Sequence, residues 1–138
     1  METDCIFCKI IAGDIPADKV YEDNDWLAVL DINPVNLGHT LLLPKAHHRN
    51  LFDLPAELLI KLGPVLQKLA RAIKDGTKAD GLNIGWNNEP AAGQLVFHSH
   101  VHLIPRFDGD GFIHWHGQGG YTKEDFAETQ EAIKKSLI

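Results

Sequence analysis

Three histidines recur at every second position, at His98, His100 and His102, and no other feature of the chain constrains its local fold so strongly. Successive side chains of a β-strand point to opposite faces of a sheet, so this spacing predicts a strand with all three imidazoles on one face, roughly 7 Å apart. The alternating apolar residues would face a core; they are Phe97, Val101 and Leu103. Imidazole can serve as nucleophile, acid, base or metal ligand near neutral pH. The run therefore predicts either a reaction centre or a three-histidine metal site.

The length and charge of the chain exclude several classes of protein. Its 138 residues predict one domain over 1–138 with a sizeable core, and 44% apolar with 23% charged residues is ordinary for a soluble protein. No apolar stretch is long enough to span a membrane, and the acidic start at residues 1–5 lacks the basic region of a signal peptide. A formal net charge of −6 argues against nucleic-acid binding. We expect a cytoplasmic protein without membrane or nucleic-acid partners.

Apolar patterning and turn residues predict five strands, at 19–22, 26–32, 39–43, 82–86 and 94–104. The turns between the early strands are short, which favours antiparallel pairing. Together with the helices described next, this order predicts an α+β fold in which helices pack against one face of an antiparallel sheet.

Three helical segments are expected. A short one at 5–12 is ended by Gly13, and a long amphipathic helix starts at Pro55, a favourable first helical residue. Pro64 lies within the long pattern and predicts a kink or two shorter helices.

A last helix is predicted in a C-terminal tail at 122–137. Thr122 and Asp125 have the spacing of an N-terminal helix cap. Its apolar residues follow helical spacing and are expected to pack inward: Phe126, Ile133 and Leu137.

Several further motifs occur in a fixed order along the chain. They are Cys5-Ile-Phe-Cys8, Gly13-Asp-Ile-Pro16, Asp31-Ile-Asn-Pro34, Gly38-His39, Leu43-Pro-Lys-Ala-His47, Asn87 and Gly93-Gln94. With the histidine run they resemble the Hint-like, nucleotide-binding branch of the histidine triad (HIT) family, from whose signature Ser99 departs by being polar. The resemblance covers residues 5–106. It implies a five-stranded antiparallel sheet with two main helices, and a homodimer in which two sheets join into one of ten strands.

The resemblance also implies an activity. Members of this family hydrolyse or transfer nucleoside monophosphates, and His100 matches the nucleophile that forms a covalent nucleotidyl-histidine. His102 and His39 match groups suited to donate hydrogen bonds to phosphate oxygens. The expected substrates are purine nucleotides such as AMP derivatives, either phosphoramidates or dinucleoside polyphosphates.

The same resemblance implies a nucleotide-binding set. Asp31 matches a carboxylate that binds the ribose hydroxyls, and Ile32 lies beside the base. Asn87 and Gln94 match contacts on the phosphate side. Leu95 departs from the family, because many members carry a hydroxyl residue there that assists the leaving group.

The pair Cys5-x-x-Cys8 has the spacing of a zinc site, and a disulfide is disfavoured in the cytoplasm. The resemblance implies that Cys5, Cys8, His47 and His98 bind one structural zinc ion. Such a closed Cys₂His₂ site leaves no ligand position for a substrate.

Two other functions are consistent with the residues. Leu95 favours a nucleotide-binding regulator or scaffold with little turnover. A metalloenzyme with all three alternating histidines on one catalytic metal is the other alternative. His114 and His116, in the tail, are interpreted as loop residues.

Overall fold

The sheet is five-stranded and antiparallel, as predicted. In the computed structural model, which describes residues 3–137, the strands are β1 (Lys19–Glu22), β2 (Trp26–Leu30), β3 (Thr40–Pro44), β4 (Gly81–Gly85) and β5 (Val101–Arg106). Their spatial order is β1-β2-β3-β5-β4, so β1 and β4 form the two edges. Residues 1, 2 and 138, at the ends of the predicted domain, lie outside the described residues.

The sheet is covered on both faces. Helix α2 (Ala56–Thr77) packs on one face, against a core that includes Trp26, Leu42 and Leu103. Helix α1 (Ile6–Ala12) packs on the opposite face, where Phe7 contacts the second core. The expectation that the helices share one face is therefore wrong. The central strands β2 and β3 are apolar at nearly every position because both of their faces are buried.

Helix α2 is a single helix of 22 residues, so of the two alternatives expected at Pro64, a kink or two shorter helices, the second is wrong. Its buried residues continue along one side on both sides of that proline; they are Leu58, Leu62, Leu69 and Ile73. Packing of this stripe against the sheet offsets the one hydrogen bond that a proline removes. Among residues 3–137, no helix is long and apolar enough to cross a membrane.

The predicted strand at 94–104 is wrong in its first half, because β5 begins only at Val101. The backbone before it leaves the sheet and is held elsewhere: the Ser99 N–H donates to the carbonyl of His48 at 2.7 Å. Phe97 is partly exposed, whereas Val101 and Leu103 are buried as expected. His98 and His100 therefore lie in an irregular segment, and only His102 belongs to the strand.

Residues 111–137 form a C-terminal arm in which no residue is buried. The arm contains helix α3 (Lys123–Ser136), and Thr122 and Asp125 form the predicted capping box. The predicted inward packing of its apolar residues is wrong, since Phe126 is 68% and Ile133 58% exposed, and Leu137 lies just beyond the helix at 75%. Cap and periodicity specify a helix, but they do not specify which surface the helix meets.

Candidate functional site

A cavity of about 350 Å³ opens on the α1 face of the sheet. Helix α1, the end of β2, the loop before β5 and two histidines form its walls. Its lining includes Phe7, Asp31, Ile32, Asn33, Asn87, Gly93, Leu95, His100 and His102. Of the site residues predicted from the sequence, the cavity therefore brings together Asp31, Ile32, Asn87, His100 and His102.

The protonation of His100 is fixed by the backbone. Its Nδ1 lies 2.7 Å from the carbonyl oxygen of His98, and a carbonyl can only accept, so Nδ1 carries the hydrogen. In the neutral ring Nε2 then keeps its lone pair, and among residues 3–137 this atom has no hydrogen-bond partner. The ring packs edge-on against Phe7, with centroids 5.1 Å apart. His100 thus offers an oriented, unprotonated nitrogen.

A second chain of hydrogen bonds fixes His39 and His102. The Val35 N–H donates to Nδ1 of His39 at 3.1 Å, so the hydrogen of a neutral His39 is on Nε2. That Nε2 lies 2.9 Å from Nδ1 of His102 and donates to it. His102 therefore carries its own hydrogen on Nε2. Because both nitrogens of His39 are used within the protein, the expectation that His39 donates directly to phosphate does not fit this structure.

Burial keeps these rings neutral. Desolvation lowers the pKa of His100 below its usual value, although the bond to the His98 carbonyl and the charge of Asp31 act in the opposite direction. Desolvation, with the nearby rings of His100 and His39, lowers the pKa of His102 to about 4. The pKa of His39 is also lowered by desolvation. All three imidazoles are therefore uncharged at neutral pH.

Asp31 and Ile32 follow β2 and form the rim of the cavity. Asp31 Oδ1 accepts from the Asn33 N–H at 2.9 Å, and its Oδ2 lies 3.6 Å from His39 Nε2. Ile32 is 95% exposed, which suits an apolar contact made only with a ligand. On the opposite rim, Asn87 lies close to the carbonyl of Gly93, with Nδ2 3.4 Å from its oxygen.

Gln94 lies behind the cavity wall rather than in it. Its amide hydrogens donate to the carbonyls of Arg49 and Val96, at 2.7 and 3.1 Å. Its Oε1 accepts from Asn50 Nδ2 and from the Glu89 N–H. Every polar position of the Gln94 side chain is thus occupied, so the expectation that it contacts phosphate does not fit this structure. Sequence reasoning missed Asn50 and Glu89, because their partners lie about forty residues away.

Four other side chains meet at the N-terminal end of α1. Cys5, Cys8, His47 and His98 each point one sulfur or nitrogen atom into a common space, with all four atoms within 4.8 Å of one another. His98 Nδ1 lies 3.4 Å from Cys5 Sγ and 3.5 Å from Cys8 Sγ, and His47 Nδ1 lies 3.4 Å from Cys8 Sγ. These are the four residues that the sequence predicted as zinc ligands.

The chemistry of this group fits a zinc ion. His98 Nε2 lies 2.8 Å from the carbonyl of Pro44 and must carry the hydrogen, which leaves the Nδ1 lone pair facing the two sulfurs. Burial raises the pKa of the Cys5 thiol, so thiolates at this position need a cation to stabilise them. Two sulfurs and two nitrogens around one point are the usual donors of a structural zinc site.

The tail histidines lie apart from both groups. His114 borders an open groove beside β4, next to Trp115, and all residues from 111 to 120 are exposed. Neither His114 nor His116 lines the cavity that contains His100.

Comparisons with known proteins agree with this architecture. The model of the HIT domain matches residues 12–109. "Protein hit" of Bacillus subtilis (strain 168) is 48% identical over 136 residues, covering 96% of this chain and 94% of that protein. Adenosine 5'-monophosphoramidase HNT1 of Saccharomyces cerevisiae is 43% identical over 108 residues, covering 78% of this chain and 66% of the yeast protein.

Solved structures show the same fold. SMU.412c from Streptococcus mutans UA159 superimposes with a TM-score of 0.93 at 48% identity, covering 100% of this chain and 88% of that one. A zinc-bound histidine triad family protein from Mycobacterium smegmatis gives a TM-score of 0.75 at 40% identity, covering 96% and 94% of the two chains. With its motifs, its sheet and these matches, the chain belongs to the HIT family.

Proposed function

We propose that the protein hydrolyses or transfers a nucleoside monophosphate through a covalent nucleotidyl intermediate on His100. The observation that carries the proposal is the free Nε2 of His100, oriented by the His98 carbonyl and kept unprotonated by burial. A nucleophilic imidazole needs this combination. The relative named as an adenosine 5'-monophosphoramidase supports the same reaction class.

The reaction has two displacements. First, the lone pair of His100 Nε2 forms a bond to the α-phosphorus while the bond from phosphorus to the leaving group breaks, and the leaving group takes that electron pair. Water, or another acceptor, then attacks phosphorus and releases the imidazole. His102, which lines the same cavity, offers its Nε2–H to the developing charge on a phosphate oxygen. His39 acts through His102 by donating to its Nδ1.

The cavity walls suit a nucleotide. Asp31 offers carboxylate oxygens to ribose hydroxyls, and Ile32 offers an apolar side chain to a purine base. Asn87 and the backbone near Gly93 lie on the side where the phosphate would reach His100. Leu95, 88% exposed on the rim, offers no hydroxyl to the leaving group, and His102 is neutral, so the proton that the leaving group takes comes from solvent.

Zinc is proposed as a structural component held by Cys5, Cys8, His47 and His98. When bound, the ion would connect α1 to His47, in the segment after β3, and to His98, two residues before the proposed nucleophile. Its ligand set is complete without a substrate, so the zinc takes no part in the phosphoryl transfer.

Trapping the intermediate tests the reaction. The protein is incubated with adenosine phosphoramidate or with a diadenosine polyphosphate, quenched in acid-free denaturant and analysed by peptide mass spectrometry. We expect the mass of an adenylate on the peptide that contains His100, and faster release of one leaving group identifies the preferred substrate. Binding without an adduct or product would favour the regulator or scaffold. Activity that a chelator abolishes without unfolding, and that added metal restores, would favour the metalloenzyme.

We further propose that the protein is a homodimer joined through β4. This edge strand, Gly81-Leu-Asn-Ile-Gly85, has unpaired backbone groups and neither charge nor proline to protect it. The opposite edge, β1, is protected by Lys19, Glu22 and an irregular register. Pairing of two β4 strands would produce the ten-stranded sheet that the family resemblance implies.

Two matched substitutions test the dimer. Ile84 on β4 and Val20 on β1 are each 49% exposed. Ile84→Lys is expected to give monomers in sedimentation or light-scattering measurements, whereas Val20→Lys is expected to leave the dimer intact. A wild-type monomer at micromolar concentration would contradict the proposal.

A further inference from the structure

One residue of the cavity loop has a backbone conformation that side chains rarely adopt. Glu89 has φ 76° and ψ 157°, a region that is open essentially to glycine. Lys78, which also has positive φ, lies instead in the ordinary left-handed region at φ 58° and ψ 35° and ends helix α2. A conformation like that of Glu89 persists only where surrounding contacts hold it in place.

The contacts that hold Glu89 come from a segment after β3 and from Gln94. Its carboxylate accepts two hydrogen bonds from the Arg49 guanidinium, from Nε at 3.2 Å and from Nη2 at 2.7 Å. Its Oε1 also accepts from Nδ2 of the buried Asn50 at 2.9 Å, and its backbone N–H donates to Gln94 Oε1 at 2.9 Å. The side chain and the backbone of Glu89 are thus fixed by different partners.

The neighbouring residues tie the loop to the same segment. The Leu51 N–H donates to Asn88 Oδ1 at 2.8 Å, and Gln94 Nε2 donates to the Arg49 carbonyl at 2.7 Å. The loop is therefore attached on both sides of Glu89. Asn87, immediately before the first attachment, and Gly93, immediately before the second, line the cavity.

We infer that Glu89 is a positioning residue of the cavity loop: clamped by Arg49 and Asn50, it holds a backbone conformation that places Asn87 and Gly93 where a nucleotide phosphate meets His100. Glu89 itself does not line the cavity, so it acts through the loop and not on the substrate. The inference deepens the proposed function and rests on it.

Three substitutions at one position separate the carboxylate from the backbone conformation. Glu89→Ala removes the carboxylate contacts, and alanine finds these backbone angles as unfavourable as glutamate does, so the loop is expected to relax to another conformation. We then expect kcat/KM for adenosine phosphoramidate to fall roughly tenfold, mainly through KM. Glu89→Gly also removes the clamp, but glycine adopts these angles without steric cost, so most of the loss should be recovered. Glu89→Gln keeps an acceptor for Asn50 and should lie close to wild type.

An ion pair remote from the cavity provides a control for the loss of a surface salt bridge. Lys61→Ala breaks a comparable exposed ion pair, 2.7 Å from Asp25, and should leave kcat/KM unchanged. The inference is overturned if Glu89→Ala lowers the melting temperature but not kcat/KM, or if Glu89→Gly is as impaired as Glu89→Ala.

An NMR readout keeps the inference separate from the proposed function. In wild-type protein the adenylate adduct on His100 is measured first; its absence rejects the proposed function alone. The amide resonance of Gly93 and the side-chain amide of Asn87 then report loop conformation without turnover. Glu89→Ala should shift both resonances and Glu89→Gly should return them toward wild type, whereas unchanged resonances in Glu89→Ala would reject the positioning role.

Discussion

His98 and His100 are two residues apart, yet their rings keep different nitrogen atoms free and turn them toward different groups of residues. His98 donates from Nε2 to the Pro44 carbonyl, which leaves Nδ1 facing two cysteine sulfurs. His100 donates from Nδ1 to the His98 carbonyl, which leaves Nε2 facing the cavity. A backbone carbonyl can only accept, so in each case the main chain decides which nitrogen keeps a lone pair. One type of side chain is thereby prepared for two kinds of chemistry.

The two groups of side chains also differ in their access to a ligand. The sulfur-containing group is assembled from three separate segments and encloses its own centre, so an ion bound there would have no room for a substrate. The group around His100 opens to a cavity, and its remaining hydrogen-bond capacity points outward. Within one histidine run, His98 thus belongs to an enclosed group of candidate metal ligands and His100 to an open cavity.

The largest effect is expected from a substitution of His100, the proposed nucleophile. His100→Ala should abolish the adenylate adduct and lower kcat/KM roughly 10⁴-fold or more, the scale of losing a nucleophile. His116→Ala, a histidine exposed in the C-terminal arm, serves as the matched control and should retain activity. Mass spectrometry and steady-state kinetics measure both. Residual turnover above one hundredth of wild type in His100→Ala would contradict the assignment.

Substitutions in the cysteine and histidine group that contains His98 should lower the stability of the protein. Wild-type protein is expected to contain close to one zinc per chain, and Cys5→Ala or Cys8→Ala should release it. The free energy of unfolding should then fall by several kcal/mol, because binding of a structural metal contributes directly to folding. Metal analysis and denaturant unfolding measure the two effects. Metal-free wild-type protein of undiminished stability would contradict a structural zinc site.

A smaller effect is expected from the loss of the hydrogen bond between His39 and His102. His39→Ala removes the donor to His102 Nδ1, so His102 can exchange tautomers and kcat/KM should fall about 10²-fold. His39→Gln can still donate from its amide nitrogen and should recover part of the loss. Nitrogen chemical shifts of His102 report its tautomer directly. An unchanged tautomer in His39→Ala would show that His39 only fills space.

The smallest expected effect is a shift in pH dependence. Turnover requires unprotonated His100, and burial lowers the pKa of His100 while that of His102 falls to about 4. A lowered pKa means that the neutral rings persist as the pH falls below the ordinary histidine value of 6.5. The acidic limb of kcat/KM should therefore be centred below pH 6.5. A limb centred at or above that value would contradict the burial argument.

Much of the candidate site follows from the sequence, but the part that depends on distant partners does not. The motifs that resemble the HIT family identified the residues of both groups, and the structure brings Cys5, Cys8, His47 and His98 together. The expectations for Gln94 and His39 did not fit, because a motif gives the residue but not the groups that use its hydrogen-bond capacity. The same limit applies to Glu89, whose clamp comes from residues 49 and 50.

The number of strands and the capped C-terminal helix could be predicted from the sequence, and its resemblance to the HIT family supplied the candidate catalytic and zinc-binding residues. These features follow from local periodicity, capping chemistry and short motifs, all of which are written in neighbouring residues. The folded structure was needed to show that α1 and α2 cover opposite faces, that α3 lies exposed, and which nitrogen of each histidine is free. Those outcomes depend on burial and on carbonyl or amide partners far along the chain, and no local pattern specifies them.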